Sequence, residues 1–105
     1  MAWTIVFRKR FDHDLDRLRD LRGTAFDLEG LKYALTLLAD DTPLPSQFRD
    51  HALADDWAHR REFHLAGDDL VIYLRKPRLR EIVLLRAGTH RQLFRRRLPR
   101  RNRNQ

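Results

Sequence analysis

The residues best suited to chemistry lie where an apolar run ends near the C-terminus. Residues 82–85 read IVLL, which is typical of a buried strand; Arg86 follows directly and His90 four residues later. We expect residues 88–89 to break the strand and one helical turn to follow, placing His90 and Phe94 on the same face. A guanidinium, an imidazole and an aromatic ring side by side suit a phosphate and a nucleotide base.

Four more polar side chains belong to the same region. Glu62 and His64 are two residues apart in a segment that reads as a strand, so both should point to one face. His51 and Asp68 fall in loops that flank the predicted strands. Together these groups offer what transphosphorylation of RNA needs: a base for the 2′-hydroxyl, a cation for the phosphorane and an acid for the leaving oxygen.

Composition places the chain among small globular proteins. Its 105 residues suffice for one domain, and 42% apolar content is not that of a disordered chain. There is no cysteine, no run long enough to span a membrane and no signal-peptide pattern, so we expect a cytoplasmic protein that does not bind membranes.

The net charge of +7 is concentrated at the C-terminus. Residues 95–105 hold six arginines and no acid, and without them 16 basic side chains face 15 acidic ones. We therefore predict a domain over residues 1–94 and an arginine-rich tail over 95–105 that is disordered when free and contacts rRNA.

The order of predicted elements indicates an α+β fold. Residues 3–7 read as a strand, and apolar spacing predicts helices over 11–22 and from 28 to 38, with Gly23 and Asp27 at their ends. Residues 46–56 read as a loop with one turn near 50–51. Strands predicted at 57–65, 70–75 and 79–87 form an antiparallel meander, which a short helical turn and the basic tail follow.

Motifs along this order resemble the YafQ branch of the RelE toxins, the toxin halves of bacterial type II toxin–antitoxin modules. The resemblance covers residues 31–94, or 64 of the 105 residues. The motifs are LKYALTLL at 31–38, PLP at 43–45, RDHAL at 49–53, His64, IY at 72–73, RAGTH at 86–90 and LF at 93–94.

The resemblance implies a RelE-like fold and a ribosome-dependent endoribonuclease that cuts translated mRNA in the A site without metal or other cofactor. It also implies a toxin that is monomeric when free and hetero-oligomeric with a cognate DNA-binding antitoxin, the complex repressing its own operon. Ribosomal RNA and mRNA would be its nucleic-acid partners. Carried over by position, the catalytic residues would be His51, His64, Asp68, Arg86 and His90, and Phe94 would contact the substrate. We add Arg60 and Glu62 as expected substrate contacts.

Other interpretations stay open at this point. The fold could serve a ParE-like toxin that inhibits gyrase by binding, or a non-catalytic basic RNA-binding protein. Asp68 could be an ordinary turn residue, and Glu62 could pair with Arg60 or Arg80 across strands. A metal site from His51, His59 and His64 is not expected, because their spacings match no common ligand pattern.

Overall fold

The computed structural model describes residues 2–53 and 59–94 and contains one sheet and three α-helices in these ranges. The predicted tail at 95–105 and the first two residues of the strand predicted at 57–65 lie outside the described part. The elements are β1 (Thr4–Phe7), α1 (Lys9–Arg22), α2 (Leu28–Ala39), β2 (His51–Ala52), β3 (Arg61–His64), β4 (Asp69–Lys76), β5 (Glu81–Thr89) and α3 (His90–Phe94).

The sheet has the strand order β1-β5-β4-β3-β2. Strands β3, β4 and β5 form the predicted antiparallel meander. Strand β1, which comes before the two helices in the chain, pairs in parallel with β5. The register of β4 against β5 shifts at residues 72–73, which is a β-bulge. The α+β prediction is confirmed.

Both faces of the sheet are apolar, and each packs against a different group of residues. Val71 and Tyr73 of β4 pack on the large core beneath α1 and α2, and the alternating Leu70 and Ile72 face a smaller cluster completed by Leu93 of α3. Because both faces of β4 are covered, its sequence is continuously apolar rather than alternating. Within the described residues no helix is both long and apolar enough to cross a lipid bilayer.

Both helix boundaries between α1 and α2 follow the sequence signals. Gly23 ends α1 with a positive φ of 59°, which glycine adopts at little cost. Asp27 caps α2 by accepting from Gly30 N at 2.9 Å, and its second oxygen accepts from Ala66 N at 3.0 Å. A Cβ at Gly30 would collide with this carboxylate. The cap therefore also fixes α2 to the turn between β3 and β4.

Three boundaries differ from the sequence prediction. The turn expected near 50–51 is a 3-10 turn at Ser46–Phe48, and His51 instead opens the short strand β2. Strand β3 begins at Arg61, because His59 lies in a turn with a φ of 69°. Residues 88–89 do not break β5: the strand runs to Thr89 and starts at Glu81 after a turn in which Arg80 has a φ of 54°.

Asp69 fastens the end of α1 to the start of β4. Its buried carboxylate accepts from Arg22 through both Nε, at 3.2 Å, and Nη2, at 2.8 Å. The hydrogen bond and the charge of Asp69 raise the pKa of Arg22. This two-point contact fixes the orientation of α1 relative to the sheet.

Tyr73 anchors the loop before β2 from inside the core. Its hydroxyl donates to Asp50 Oδ1 at 2.7 Å, and Arg61 Nε donates to the same oxygen at 3.2 Å. Burial of the phenol, reinforced by its hydrogen bond to Asp50, raises the pKa of Tyr73 well above its usual value. The neutral phenol is therefore the form that the fold selects.

The substitution Tyr73→Phe tests this anchor through pH. At neutral pH the loss of one hydrogen bond should lower the free energy of unfolding by about 1–2 kcal/mol. The folded-state pKa is raised, so the unfolded phenol ionises first as the pH passes about 10. Wild-type stability should then fall with pH relative to the variant, by up to about 1.4 kcal/mol per pH unit. Denaturant unfolding of both proteins between pH 7 and 11 measures the difference. A gap that stays constant with pH would contradict the buried, neutral phenol.

Candidate active site

One row of paired residues crosses four strands of the sheet. His51 of β2 is paired with Glu62 of β3, Glu62 with Ile72 of β4, and Ile72 with Arg86 of β5. Paired residues in antiparallel strands point to the same face, and neighbouring strands lie about 5 Å apart, so Glu62 and Arg86 are separated by roughly 10 Å. The sheet therefore aligns His51 and Arg86 in one row, although the sequence places them 35 positions apart.

Glu62 lies at the centre of a histidine pair. Its Oε2 is 2.9 Å from His51 Nε2 and 3.1 Å from His64 Nε2. The side chain of Glu62 is 6% exposed, that of His64 16% and that of His51 53%. The prediction that Glu62 and His64 share a face is confirmed, and Glu62 pairs with His51 and His64.

Hydrogen-bond partners assign the protons of the two imidazoles. Arg49 Nη2 lies 3.0 Å from His64 Nδ1, and an arginine can only donate, so Nδ1 accepts and Nε2 carries the hydrogen given to Glu62. His51 Nδ1 lies 3.1 Å from the carbonyl oxygen of Ala52, which can only accept. Both nitrogens of His51 thus face acceptors, as an imidazolium requires. The contacts therefore let His51 donate to both Glu62 and Ala52, and let His64 donate to Glu62 while it accepts from Arg49.

His90 and Phe94 stand on the short helix α3, which follows β5 without a loop. Thr89 and Gln92 form a capping box: Thr89 Oγ1 accepts from Gln92 N at 3.0 Å, and Gln92 Oε1 accepts from Thr89 N at 2.8 Å. Gly88 makes room for it, because a Cβ there would lie 2.8 Å from Gln92 Oε1. The predicted side-by-side arrangement is confirmed, with the His90 and Phe94 ring centroids 4.8 Å apart.

Arg86 is held by a residue that the sequence did not single out. Asp14 of α1 is buried and accepts from Arg86 Nε at 2.6 Å and from Ala87 N at 3.0 Å through Oδ2. The Arg86 side chain remains 22% exposed. One edge of the guanidinium is thus fixed against α1 while other N–H groups stay available to a ligand.

Two of the predicted site residues are less closely connected to the cluster. Asp68 is exposed in the β3–β4 turn; the adjacent Asp69 pairs with Thr89, so Asp68 lies at the same end of the sheet as His90. Within the described residues Asp68 makes no hydrogen bond to His51, Glu62 or His64. Arg60 precedes β3 and is half-buried. Their predicted roles in catalysis and substrate binding remain predictions.

A metal ion could also be held by His51, Glu62 and His64, because their ligand atoms lie within 4.8 Å of one another. His59, which sequence spacing had considered with the two histidines, is not part of this group. The protons assigned above oppose ligation: His64 Nε2 carries a hydrogen while Arg49 donates to Nδ1, and a metal would need the lone pair on Nε2. The observed contacts fit hydrogen-bonded imidazoles.

Beside His64 the surface opens into a cavity of about 680 Å³. The exposed ring of Tyr33 and the buried ring of Phe48 line it, with centroids 6.0 Å apart. Sequence reasoning placed Tyr33 within a family motif without giving it a role. This volume adjoins the histidine cluster at His64.

The family and its relatives can now be compared with this geometry. Residues 3–95 match the family model described as the bacterial toxin of a type II toxin–antitoxin system, YafQ. The chain belongs to the YafQ toxin family. A curated relative, the mRNA interferase toxin YafQ of Escherichia coli strain B, is 39% identical over 69 residues, which is 65% of this chain and 73% of the relative.

Solved structures of YafQ-like toxins share the fold. A copper-bound mutant toxin from Helicobacter pylori superposes with a TM-score of 0.78 at 37% identity, covering 88% of this chain and 99% of that one. YafQ in the Escherichia coli DinJ–YafQ complex gives a TM-score of 0.74 at 32% identity, covering 88% and 98%. The match extends across β1 and α1, for which the sequence motifs gave no detailed resemblance.

The proton assignment of the cluster can be tested without any activity assay. A two-bond ¹H–¹⁵N NMR spectrum of the labelled protein should show His64 with an unprotonated Nδ1 and a hydrogen on Nε2. The substitution Arg49→Met removes the donor, which at about 1 kcal/mol should shift the His64 tautomer ratio roughly fivefold. Arg75→Met is the matched control, because Arg75 pairs with Asp41. A protonated His64 Nδ1 in the wild type would contradict the assignment.

Proposed function

We propose that this YafQ-family toxin is an mRNA interferase, an endoribonuclease that cleaves mRNA by transphosphorylation on the sheet face between Arg86 and the histidine cluster. The observation that carries the proposal is the hydrogen-bonded set His51–Glu62–His64, of which His51 and Glu62 lie in the same row of paired residues as the positioned Arg86. A binding module has no use for a buried carboxylate that orients two imidazoles. The resemblance of the chain to a relative named mRNA interferase toxin supports the same reaction.

The reaction needs one proton removed and one supplied. The 2′-oxygen attacks the neighbouring phosphorus and gives up its proton to a base, while the P–O5′ bond breaks and an acid protonates the departing 5′-oxygen. His90, exposed beside Phe94, transfers one of these protons, and His51 transfers the other. Glu62 orients His51 and His64 and balances the imidazolium charge. The products are a 2′,3′-cyclic phosphate and a 5′-hydroxyl.

Arg86 supplies the charge that the transition state lacks. The pentacoordinate phosphorane carries more negative charge on its equatorial oxygens than the ground state, and a fixed guanidinium stabilises this difference. Because Asp14 holds Nε, Arg86 does not have to lose side-chain freedom when substrate binds. Phe94 offers a ring on which a base next to the scissile phosphate stacks.

The biological setting follows from the family. We propose that the toxin acts on translated mRNA in the ribosomal A site in the cytoplasm, and that a cognate antitoxin neutralises it, as the DinJ–YafQ complex indicates for the relative. The predicted contacts of the arginine-rich tail with rRNA would add an affinity that depends steeply on salt concentration.

The substitution His90→Ala should abolish cleavage while leaving the fold intact. Removing a general acid or base typically costs about a hundredfold or more in rate. Primer extension on a reporter mRNA, in induced cells and in a ribosome-supplemented translation mix, compares the wild type, His90→Ala and the control His13→Ala. His13 is exposed on α1, and its loss should leave every cut in place.

Two outcomes would contradict the proposal in different ways. Growth arrest by the wild type with intact mRNA would exclude the nuclease and point to inhibition by binding, as in the gyrase-directed toxins. Cuts that persist at full rate in His90→Ala would retain the nuclease and exclude His90 from the proton transfer.

Metal ions separate the proposed acid–base mechanism from a metal-assisted one. Chelation with EDTA should leave the cleavage rate of the purified toxin on ribosomes unchanged. Zinc or copper ions, which prefer imidazole, should inhibit by displacing the protons between Glu62 and the two histidines, and EDTA should reverse the inhibition. The ribosomes keep their Mg²⁺ through a magnesium-saturated EDTA buffer, and added Mg²⁺, which prefers oxygen ligands, is the control. Loss of cleavage on chelation, restored by zinc, would show that the cluster works as a metal centre.

A further inference from the structure

The edge of β5 next to Arg86 is closed by α1 rather than by a strand. β1 ends at Phe7, whose partner on β5 is Leu84. Beyond this point Asp14 takes over and accepts the hydrogen bond of Ala87 N. Arg86 thus belongs to the catalytic face and also to the boundary between β5 and α1.

A cleft of about 220 Å³ lies at this boundary. Its lining combines three guanidiniums, one carboxylate and one amide, from Arg10, Arg17, Arg86, Asp14 and Gln92. Arg10, Asp14 and Arg17 are spaced by four and three residues, so they lie on one side of α1. The first and last of them are about 10 Å apart along the helix axis.

The positive charge of the cleft exceeds its negative charge. The carboxylate of Asp14 is already bound to Arg86 and to Ala87 N. In the described part of the chain, Arg10 and Arg17 enter no ion pair or hydrogen bond through their side chains. Gln92 uses its oxygen on Thr89 N, which leaves its amide hydrogens for a ligand. The cleft therefore presents donors to an acceptor with several oxygens.

We infer that this cleft binds a second phosphodiester of the RNA substrate, next to the scissile phosphate at Arg86. The inference rests on the proposed nuclease function and adds a subsite to it. Guanidinium N–H groups match the oxygens of a phosphate, and the shared Arg86 makes the cleft continuous with the catalytic row. Two further arginines spread along one helix face suit a polyanion that extends past the reacting group, rather than a single small anion.

The test compares the double variant Arg10→Gln/Arg17→Gln with Arg19→Gln/Arg78→Gln. Both pairs remove two positive charges. Arg19 is exposed on the opposite side of α1 from Arg17, and Arg78 is exposed in the β4–β5 turn, at the far end of the sheet from the site. Binding is measured by NMR titration over a salt series. The ligands are a tetranucleotide RNA with a 2′-deoxy residue at the cleavage position and the central dinucleotide alone.

One phosphate contact to single-stranded nucleic acid changes the slope of log K against log salt by about 0.7. The Arg10/Arg17 variant should therefore bind the tetranucleotide about fivefold more weakly at 0.1 M salt, with the slope reduced by about 0.7. It should bind the dinucleotide, whose single phosphate lies at Arg86, as well as the wild type does. The control variant should match the wild type on both ligands.

Equal effects of both variants, or no effect of either, would overturn the subsite. So would unchanged RNA binding by the Arg10/Arg17 variant together with weaker binding to the antitoxin, which would assign the cleft to an acidic segment of that partner. Primer extension with the wild type reports on the nuclease itself, so cleavage without a subsite and absence of cleavage are distinct results.

Discussion

The carboxylate of Glu62 is almost fully buried on the sheet face, and an unpaired charge in that position would cost several kcal/mol. Two imidazoles meet this requirement through one oxygen, while the other, Oε1, has no partner among the described residues. The short strand β2 contributes to pairing this charge. It supplies His51 from one side, and β3 supplies His64 from the same strand as Glu62.

The same principle operates at the other end of the row. Asp14 is the buried charge, and Arg86 and the Ala87 amide are its partners. Each half of the site is therefore fixed by a carboxylate that lies behind the group presented to substrate. Ile72 lies between Glu62 and Arg86 in the row of paired residues and is fully buried against Leu70 and Leu93. His51 and Arg86 reach the surface, and the acids that position them stay below it.

The sequence predicted those features that depend on residues close together in the chain. The cap at Asp27, the stop at Gly23, the apolar run of β4 and the pairing of His90 with Phe94 all depend on residues within four positions of one another. The strand β2 could not be predicted, because two residues carry no periodicity and are ordered by their partner. Asp14 and Arg86 are 72 positions apart, and a charged residue on α1 looked like part of its solvated face. The contact between Arg22 and Asp69 likewise joins residues that are 47 positions apart.

Strand β5 passes directly into α3 without a loop. The number of residues between Arg86 and His90 therefore sets where the imidazole lies. A helix turns by about 100° per residue, so one inserted residue between Thr89 and His90 would rotate the imidazole relative to Arg86 and would also turn Leu93 away from the smaller core cluster. The turn between β4 and β5, remote from the site, carries no such constraint. Changes in chain length should therefore accumulate at that turn and be absent from the junction, where the number of residues matters as much as their identity.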